Sequence, residues 1–285
     1  MKQLFNEMKS PFGKRDDIVQ NSPGRTDLIC DRRPVTILMT GTIAPPSGMP
    51  GTRRNDPRIR QREYLDAFSF YLNIDDKFVD RLIFLQNSNN SLKEFTDLAA
   101  ASNTQKQINL IRCPSEYSAE MGKGYGEFMM IDYGIRVLRD SGIFDNSSIF
   151  WKITGRLRLI NISEMISTSP EPYDLYCDLR YLPFIKDTLG GNSWMELRAF
   201  SFSLDFYSSV LENQYERGFV LEKEFFKIVL EQMKQERWKI VPRFRRQPVI
   251  QGVSGYSNVS YSSPKYRVKN AIRTAARRLA PSLWV

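Results

Sequence analysis

Short apolar runs alternate with longer segments of helical period along most of this chain, and that alternation restricts the fold more than any other feature. Val35-Thr-Ile-Leu-Met39, Arg81-Leu-Ile-Phe-Leu-Gln86, Gln107-Ile-Asn-Leu-Ile-Arg112 and Phe150-Trp-Lys-Ile153 each stop at a turn signal, so they read as strands, the first of them buried. Tyr64, Leu65, Phe68, Tyr71 and Leu72 recur at helical spacing behind Asp56-Pro57, which predicts a helix over 57–73. Phe128, Ile131, Ile135 and Leu138 predict a second helix, closed by Asp140-Ser-Gly142. Leu197, Phe200, Leu204 and Tyr207 predict a third within 194–212, and Phe225, Ile228, Val229 and Met233 a long fourth over 221–238. Strands and helices in alternation imply an α/β class: a single mostly parallel sheet flanked by helices, with a small antiparallel addition after residue 150.

Charge divides the chain into three parts. Residues 1–33 are a polar lead-in with Pro and Gly breaks, 34–240 form the α/β body, and 241–285 form a basic tail carrying a helix. The net charge is +9, and the tail holds nine cations and no acid. Subtracting those nine from 41 leaves 32 cations against 32 acids in the rest. A neutral body with a basic tail predicts a tether more than a nucleic-acid binder. Within the tail, Lys265 to Leu279 predicts a helix with Val268, Ile272, Ala275, Ala276 and Leu279 along one side and most cations facing away. Such a helix either lies on an anionic membrane through 265–285 or docks on the protein's own surface. No apolar run reaches transmembrane length and the first residues lack an apolar leader, so the expected location is cytoplasmic, peripheral at the inner membrane face.

The composition removes whole classes of chemistry. There is no histidine, so Ser-His-Asp triads, Cys-His dyads and histidine zinc sites are excluded. Acid–base work falls to Asp, Glu, Lys or Tyr. The three cysteines are far apart and form no CxxC pair, which argues against a disulfide framework.

The segment from Glu120 to Asn161 concentrates the remaining signal. Gly122-Lys123-Gly124-Tyr125-Gly126-Glu127 reads as a glycine-rich loop leading into a helix, and Lys152-Ile-Thr154-Gly155-Arg156 as a polar corner at a strand end. The segment matches neither the P-loop nor the dinucleotide fingerprint. Glycines with adjacent cations can cradle phosphate, and the flanking acids can accept from sugar hydroxyls. The alternative is a tight structural turn. Arg53, Arg54, Arg58, Arg60 and Arg62 either bind phosphate or form a solvated face.

Taken in order, Thr40-Gly41-Thr42, Asp56-Pro57-Arg58, Phe84 with Asn87-Ser88, Lys123 to Glu127, Lys152 to Arg156 with Asn161, and Glu222 resemble the glycosyltransferases and glycosyltransferase-like proteins of bacterial capsule and O-antigen synthesis. The resemblance runs from Val35 to Gln232 and implies a GT-A/Rossmann-like fold. It implies a nucleotide-sugar donor at Thr40, Gly41, Thr42 and Asn87, with Lys123, Gly124, Tyr125, Gly126, Lys152, Thr154, Gly155 and Arg156 around its phosphates. It also implies a lipid-linked or polysaccharide acceptor. Such enzymes place a metal-binding Asp-x-Asp near Lys152 to Arg156; this chain has none there, so no metal ligand is assigned and a Mg or Mn ion lacks support. Proton abstraction from the acceptor needs a carboxylate, for which Glu127, Asp178, Glu196 and Glu222 are the candidates, Glu127 preferred and Asp178 next. The competing readings are a non-catalytic polysaccharide-assembly partner, a transferase for another phosphate-bearing donor, and a basic-tail polyanion or nucleic-acid binder.

Overall fold

The computed structural model describes residues 34–182, 192–217, 220–280 and Trp284. The lead-in at 1–33 lies outside the described residues. The chain runs β1 (Val35–Gly41), α1 (Pro57–Leu72), β2 (Val79–Gln86), α2 (Lys93–Ala101), β3 (Gln107–Arg112), α3 (Gly122–Asp140) and β4 (Ile149–Thr154). It continues through β5 (Arg158–Leu159), α4 (Ile162–Ser167), β6 (Leu175–Tyr176), β7 (Leu179–Arg180), β8 (Trp194–Met195) and β9 (Ala199–Ser203). The final elements are α5 (Leu221–Gln235), β10 (Ile240–Val241), β11 (Ile250–Gln251) and α6 (Pro264–Leu279).

Seven strands form the main sheet in the order β10-β6-β9-β4-β1-β2-β3. Its neighbours pair in parallel except at β9, which is antiparallel to both β4 and β6. This is the expected single mostly parallel sheet flanked by helices. Every residue of β1 is buried, as a central parallel strand covered on both faces requires. Leu38 points into the layer with Phe128, Ile131 and Phe225, whereas Ile37 and Met39 enter the layer with Tyr64, Phe68 and Trp151. From β1 the chain progresses to β2 and β3 on one side, then returns to β4 on the other. Such a reversal opens a crevice at the strands' carboxyl ends, where open α/β sheets bind ligands.

Several local expectations need correction. The glycine-rich segment is no loop: α3 begins at Gly122 and takes in Gly124 and Gly126. Close packing favours the glycines there, since a Cβ on Gly126 would lie 2.2 Å from the Tyr117 hydroxyl oxygen. The helix expected within 194–212 is instead β8, β9 and two short helical turns, Leu204–Phe206 and Tyr207–Leu211. All five residues of β9 are buried between β4 and β6, and that pairing overrides the helical spacing of Leu197, Phe200, Leu204 and Tyr207.

The basic tail packs on the body. β11 pairs antiparallel with β5, and α6 docks through Arg277. The apolar side of α6 faces outward: Val268 and Ile272 are each 61% exposed and Leu279 is 85% exposed.

Candidate functional site

The carboxyl ends of β1, β2 and β4 meet the N-terminal turns of α3. Glu127 reaches from α3 to the strand ends, where Oε1 accepts from Thr40 Oγ1 at 2.6 Å and Thr154 Oγ1 at 3.0 Å. The same oxygen lies 2.8 Å from Lys152 Nζ. Lys152 is fully buried and also donates to the Leu197 carbonyl at 2.6 Å. Burial pushes the Glu127 carboxyl up, but the Lys152 ammonium and three hydrogen bonds outweigh it and hold the group below its ordinary value. Gly155 crosses hard against β1, donating its amide to the Thr40 carbonyl at 2.9 Å. A Cβ at Gly155 would sit 2.5 Å from that carbonyl oxygen, so this crossing requires glycine.

A second network ties β1 to β2. Thr42 Oγ1 donates to Asn87 Oδ1 at 2.6 Å, and Asn87 Nδ2 donates to the Gly126 carbonyl at 3.3 Å. The Thr42 amide donates to the Tyr64 hydroxyl, and Arg60 donates to the Thr42 carbonyl. Tyr117 closes this edge; burial raises its phenol, opposed by a hydrogen bond with Asn87. Beside Asn87 opens a pocket of about 400 Å³ lined by Ala44, Pro46, Ser88, Asn89, Asn90 and Ser115. Its volume and amide and hydroxyl lining suit the base and ribose of a nucleotide. A similar hollow of about 430 Å³ along α1, at Asp66, Ser69 and Asn73, contains none of the candidate residues.

The expected phosphate cations are differently placed. Lys152 is committed to Glu127, and Arg156 pairs with Glu63 at 2.9 Å, which also holds Arg54. Arg60 is buried against backbone carbonyls, so part of the early arginine cluster is structural. Lys123 is exposed, with its ammonium 5.2 Å from the Tyr256 ring centre. Tyr125 packs edge-on to Tyr215 at 4.9 Å instead of opening into the crevice as part of a loop.

The candidate acids occupy three different environments. Asp178 is buried and held by both oxygens to Arg277 Nη2 at 2.7 Å. Glu196 is buried between Arg180 and Arg198, which hold its carboxyl well below the usual range despite desolvation. Glu222, at the start of α5, is half-buried and no other side chain pairs with it among the described residues. Burial raises its carboxyl; its own backbone amide opposes this, Glu196 and Glu127 add to it, and Lys123 opposes it. Those charges place Glu222 between the Glu127 cluster and the Glu196 cluster. A half-buried acid of raised pKa meets one requirement of a general base.

The corner at the end of β4 offers an ammonium, a hydroxyl and a guanidinium, which is the wrong donor set for a divalent cation. Among the described residues no group of three or more Cys, Asp or Glu could hold a metal ion.

Sequence reasoning missed Tyr117, Tyr64, Lys269 and Arg273. The two cations had a readable signal: Lys269, Arg273 and Arg277 are spaced by four and lie on one helix face. Nothing local in the sequence ties Tyr117 to Asn87, since that contact depends on how β2 and β3 end together.

No family model and no curated protein matches the sequence. The chain's path is similar to that of the inositol-1-phosphate CTP transferase from T. maritima, at 8% identity and TM-score 0.46, covering 85% of this chain and 97% of that one. Mouse xyloside xylosyltransferase 1 matches at 13% identity and TM-score 0.41, covering 73% and 85%. A glycosyltransferase of Streptococcus pneumoniae TIGR4 matches at 8% identity and TM-score 0.39 over 74% of this chain, which spans only 45% of its length. At these identities and scores the likeness says nothing of activity, so function rests on the residues of the crevice.

Proposed function

We propose that the protein is a transferase acting on a nucleotide-activated substrate, and specifically a glycosyltransferase moving a sugar from a nucleotide-sugar to a growing bacterial surface polysaccharide. The observations that carry this reading are Glu222, half-buried, of raised pKa and unpaired among the described residues, and the polar pocket beside Asn87. The nucleoside occupies that pocket, contacting Asn87, Ser88 and the backbone near Thr42. Glu222 takes the proton from an acceptor hydroxyl as its oxygen attacks the sugar's anomeric carbon. The carbon–oxygen bond to the diphosphate breaks, and its electron pair leaves on the phosphate oxygen. Glu127 braces the site by binding Lys152, Thr40 and Thr154 together, and Asp178 acts at a distance through its pair with Arg277.

A lipid-linked acceptor at an anionic membrane fits the outer face of α6. Val268, Ile272 and Leu279 form an exposed apolar stripe beside the exposed cations Lys265, Arg267 and Arg278. No helix among the described residues is long and apolar enough to cross a membrane.

The test is a thermal-shift screen against UDP-, GDP-, CMP- and dTDP-sugars, followed by donor hydrolysis or transfer. One donor should raise the melting temperature. The rate should rise with pH through the raised pKa of Glu222, and that limb should vanish in Glu222→Gln with a loss of about 100-fold or more. An unchanged rate in Glu222→Gln removes the base assignment. Binding of no nucleotide-sugar, or consumption of CTP with release of pyrophosphate, overturns the glycosyltransferase reading.

A further inference from the structure

The inner face of α6 carries a feature that the nucleotide pocket does not use. Two contacts fix the helix at its ends. Near its start, Tyr266 packs edge-on to Tyr261 at 5.0 Å, and Tyr261 lies under the Arg198 guanidinium at 4.7 Å. Near its end, Arg277 grips Asp178, the residue before β7. Lys269 and Arg273 fall between these anchors on the same helical row, with Arg273 half-buried and Lys269 exposed at the rim, and both feel the charge of Arg180.

The result is a concentration of like charge. Arg180, Arg198, Lys269, Arg273, Arg277 and Arg243 surround the two acids Asp178 and Glu196. Both acids are already saturated by Arg277, Arg180 and Arg198. Lys269 and Arg273 have no ion-pair partner among the described residues, and none of the three guanidinium nitrogens of Arg243 has a hydrogen-bond partner. Desolvation and the neighbouring cations push Lys269 down to about 8 and Arg273 to about 10, the direction that an uncompensated positive cluster imposes.

Isolated surface cations repel one another into solvent, whereas the docked helix holds Arg273 beside the buried guanidinium of Arg243 and the Arg277–Asp178 pair, with Lys269 at the rim. We infer that the basic surface where α6 meets the β7–β8 pair is an anion site for a diphosphate group, with Lys269 and Arg273 as its free ligands. Glu196 within this cluster also acts on the charge of Glu222, and the Arg198 carbonyl accepts from the Thr154 amide at the strand ends. The site therefore supplies the positive charge that Lys152 and Arg156 cannot, both being neutralised by their own acids. The group it holds belongs either to the nucleotide donor or to a polyprenyl diphosphate acceptor. Its link to catalysis rests on the transferase reading; the anion site does not.

The experiment measures thermal shift and titration calorimetry of the full chain with inorganic pyrophosphate, for the wild type and for the double variant Lys269→Ala with Arg273→Ala. Neither side chain makes an ion pair among the described residues, so the unliganded variant should melt at the wild-type temperature or slightly above. Pyrophosphate should stabilise the wild type and bind the double variant about a hundredfold more weakly, or about tenfold per cation. Equal pyrophosphate affinity in the two proteins overturns the inference, as does a double variant that melts several degrees lower because the two side chains are structural. Nucleoside diphosphates and farnesyl diphosphate run in parallel then show which source supplies the group. Pyrophosphate binding that depends on the two cations, without binding of any nucleotide, keeps this site and removes the nucleotide reading. Nucleotide binding indifferent to both substitutions, with pyrophosphate binding also unchanged, does the reverse.

Discussion

Replacing Arg277 by alanine tests how the C-terminal helix is held. Arg277 donates to both oxygens of Asp178 at 2.7 Å, to the Phe244 carbonyl at 2.7 Å and to Gln247 Oε1 at 2.9 Å. The two side chains of the ion pair are 5% and 2% exposed. Truncation leaves Asp178 charged and desolvated without its partner, a change that costs about 3–5 kcal/mol in buried pairs. Arg273 and Arg243 also act on Asp178 and soften the loss, so the expected value is the lower end, about 3 kcal/mol. At roughly 2–3 °C per kcal/mol for a chain of this length, the melting temperature should fall by about 6–9 °C. Hydrogen exchange should show residues 264–279 losing protection first, because that helix loses its inward anchor. Arg277→Lys should be intermediate, since an ammonium cannot span both carboxylate oxygens and the two further acceptors. The double change Arg277→Met with Asp178→Leu removes both charges and should recover most of the loss. A melting temperature within about 2 °C of wild type in Arg277→Ala, with protection of α6 unchanged, would refute this account of the docking.

Three further outcomes follow from other parts of the molecule. Asp132 is buried on α3, accepts from the Tyr207 hydroxyl and the Asn213 amide, and is pushed up to about 6 by burial from an unfolded value of 3.8. Because the folded pKa is raised, its contribution is full below about pH 4 and is lost as pH rises through about 6, by up to about 3 kcal/mol. Urea denaturation from pH 4 to 7 should show that decline, and Asp132→Asn should flatten it. Gly155→Ala forces a methyl group against the Thr40 carbonyl, so it should cost about 1–3 kcal/mol in urea denaturation and lower nucleotide affinity. Val268→Asp with Ile272→Asp, on the exposed stripe, should leave stability unchanged and abolish cosedimentation with phosphatidylglycerol vesicles; equal sedimentation of the variant rejects the membrane face.

The fold was largely legible. The runs at 35–39, 81–86, 107–112 and 150–153 became β1 to β4; the central β1 is buried throughout and so must be nearly all apolar, whereas β3 at the sheet edge is only half-buried. Asp56-Pro57 announced α1, and Asp56 does cap it, accepting from the Arg58 amide at 2.8 Å. β9 was illegible because its neighbours β4 and β6 come from distant sequence, and burial between them outweighed a helical spacing that local pattern alone would favour.

Within the site, the sequence determined which chemistry was available: no histidine, cations and acids at the strand ends, and an excess of positive charge confined to the last 45 residues. Tertiary structure decided which of those charges remain free. Lys152 and Arg156 look alike in sequence to Lys269 and Arg273, yet the first pair meets Glu127 and Glu63 across the sheet while the second meets further cations. Likewise Glu127, Asp178 and Glu222 are equal as letters, and only packing leaves Glu222 without an ion pair among the described residues. A charge's function depends on its neighbours within a few ångströms, and in an α/β fold those neighbours arrive from crossovers tens of residues away.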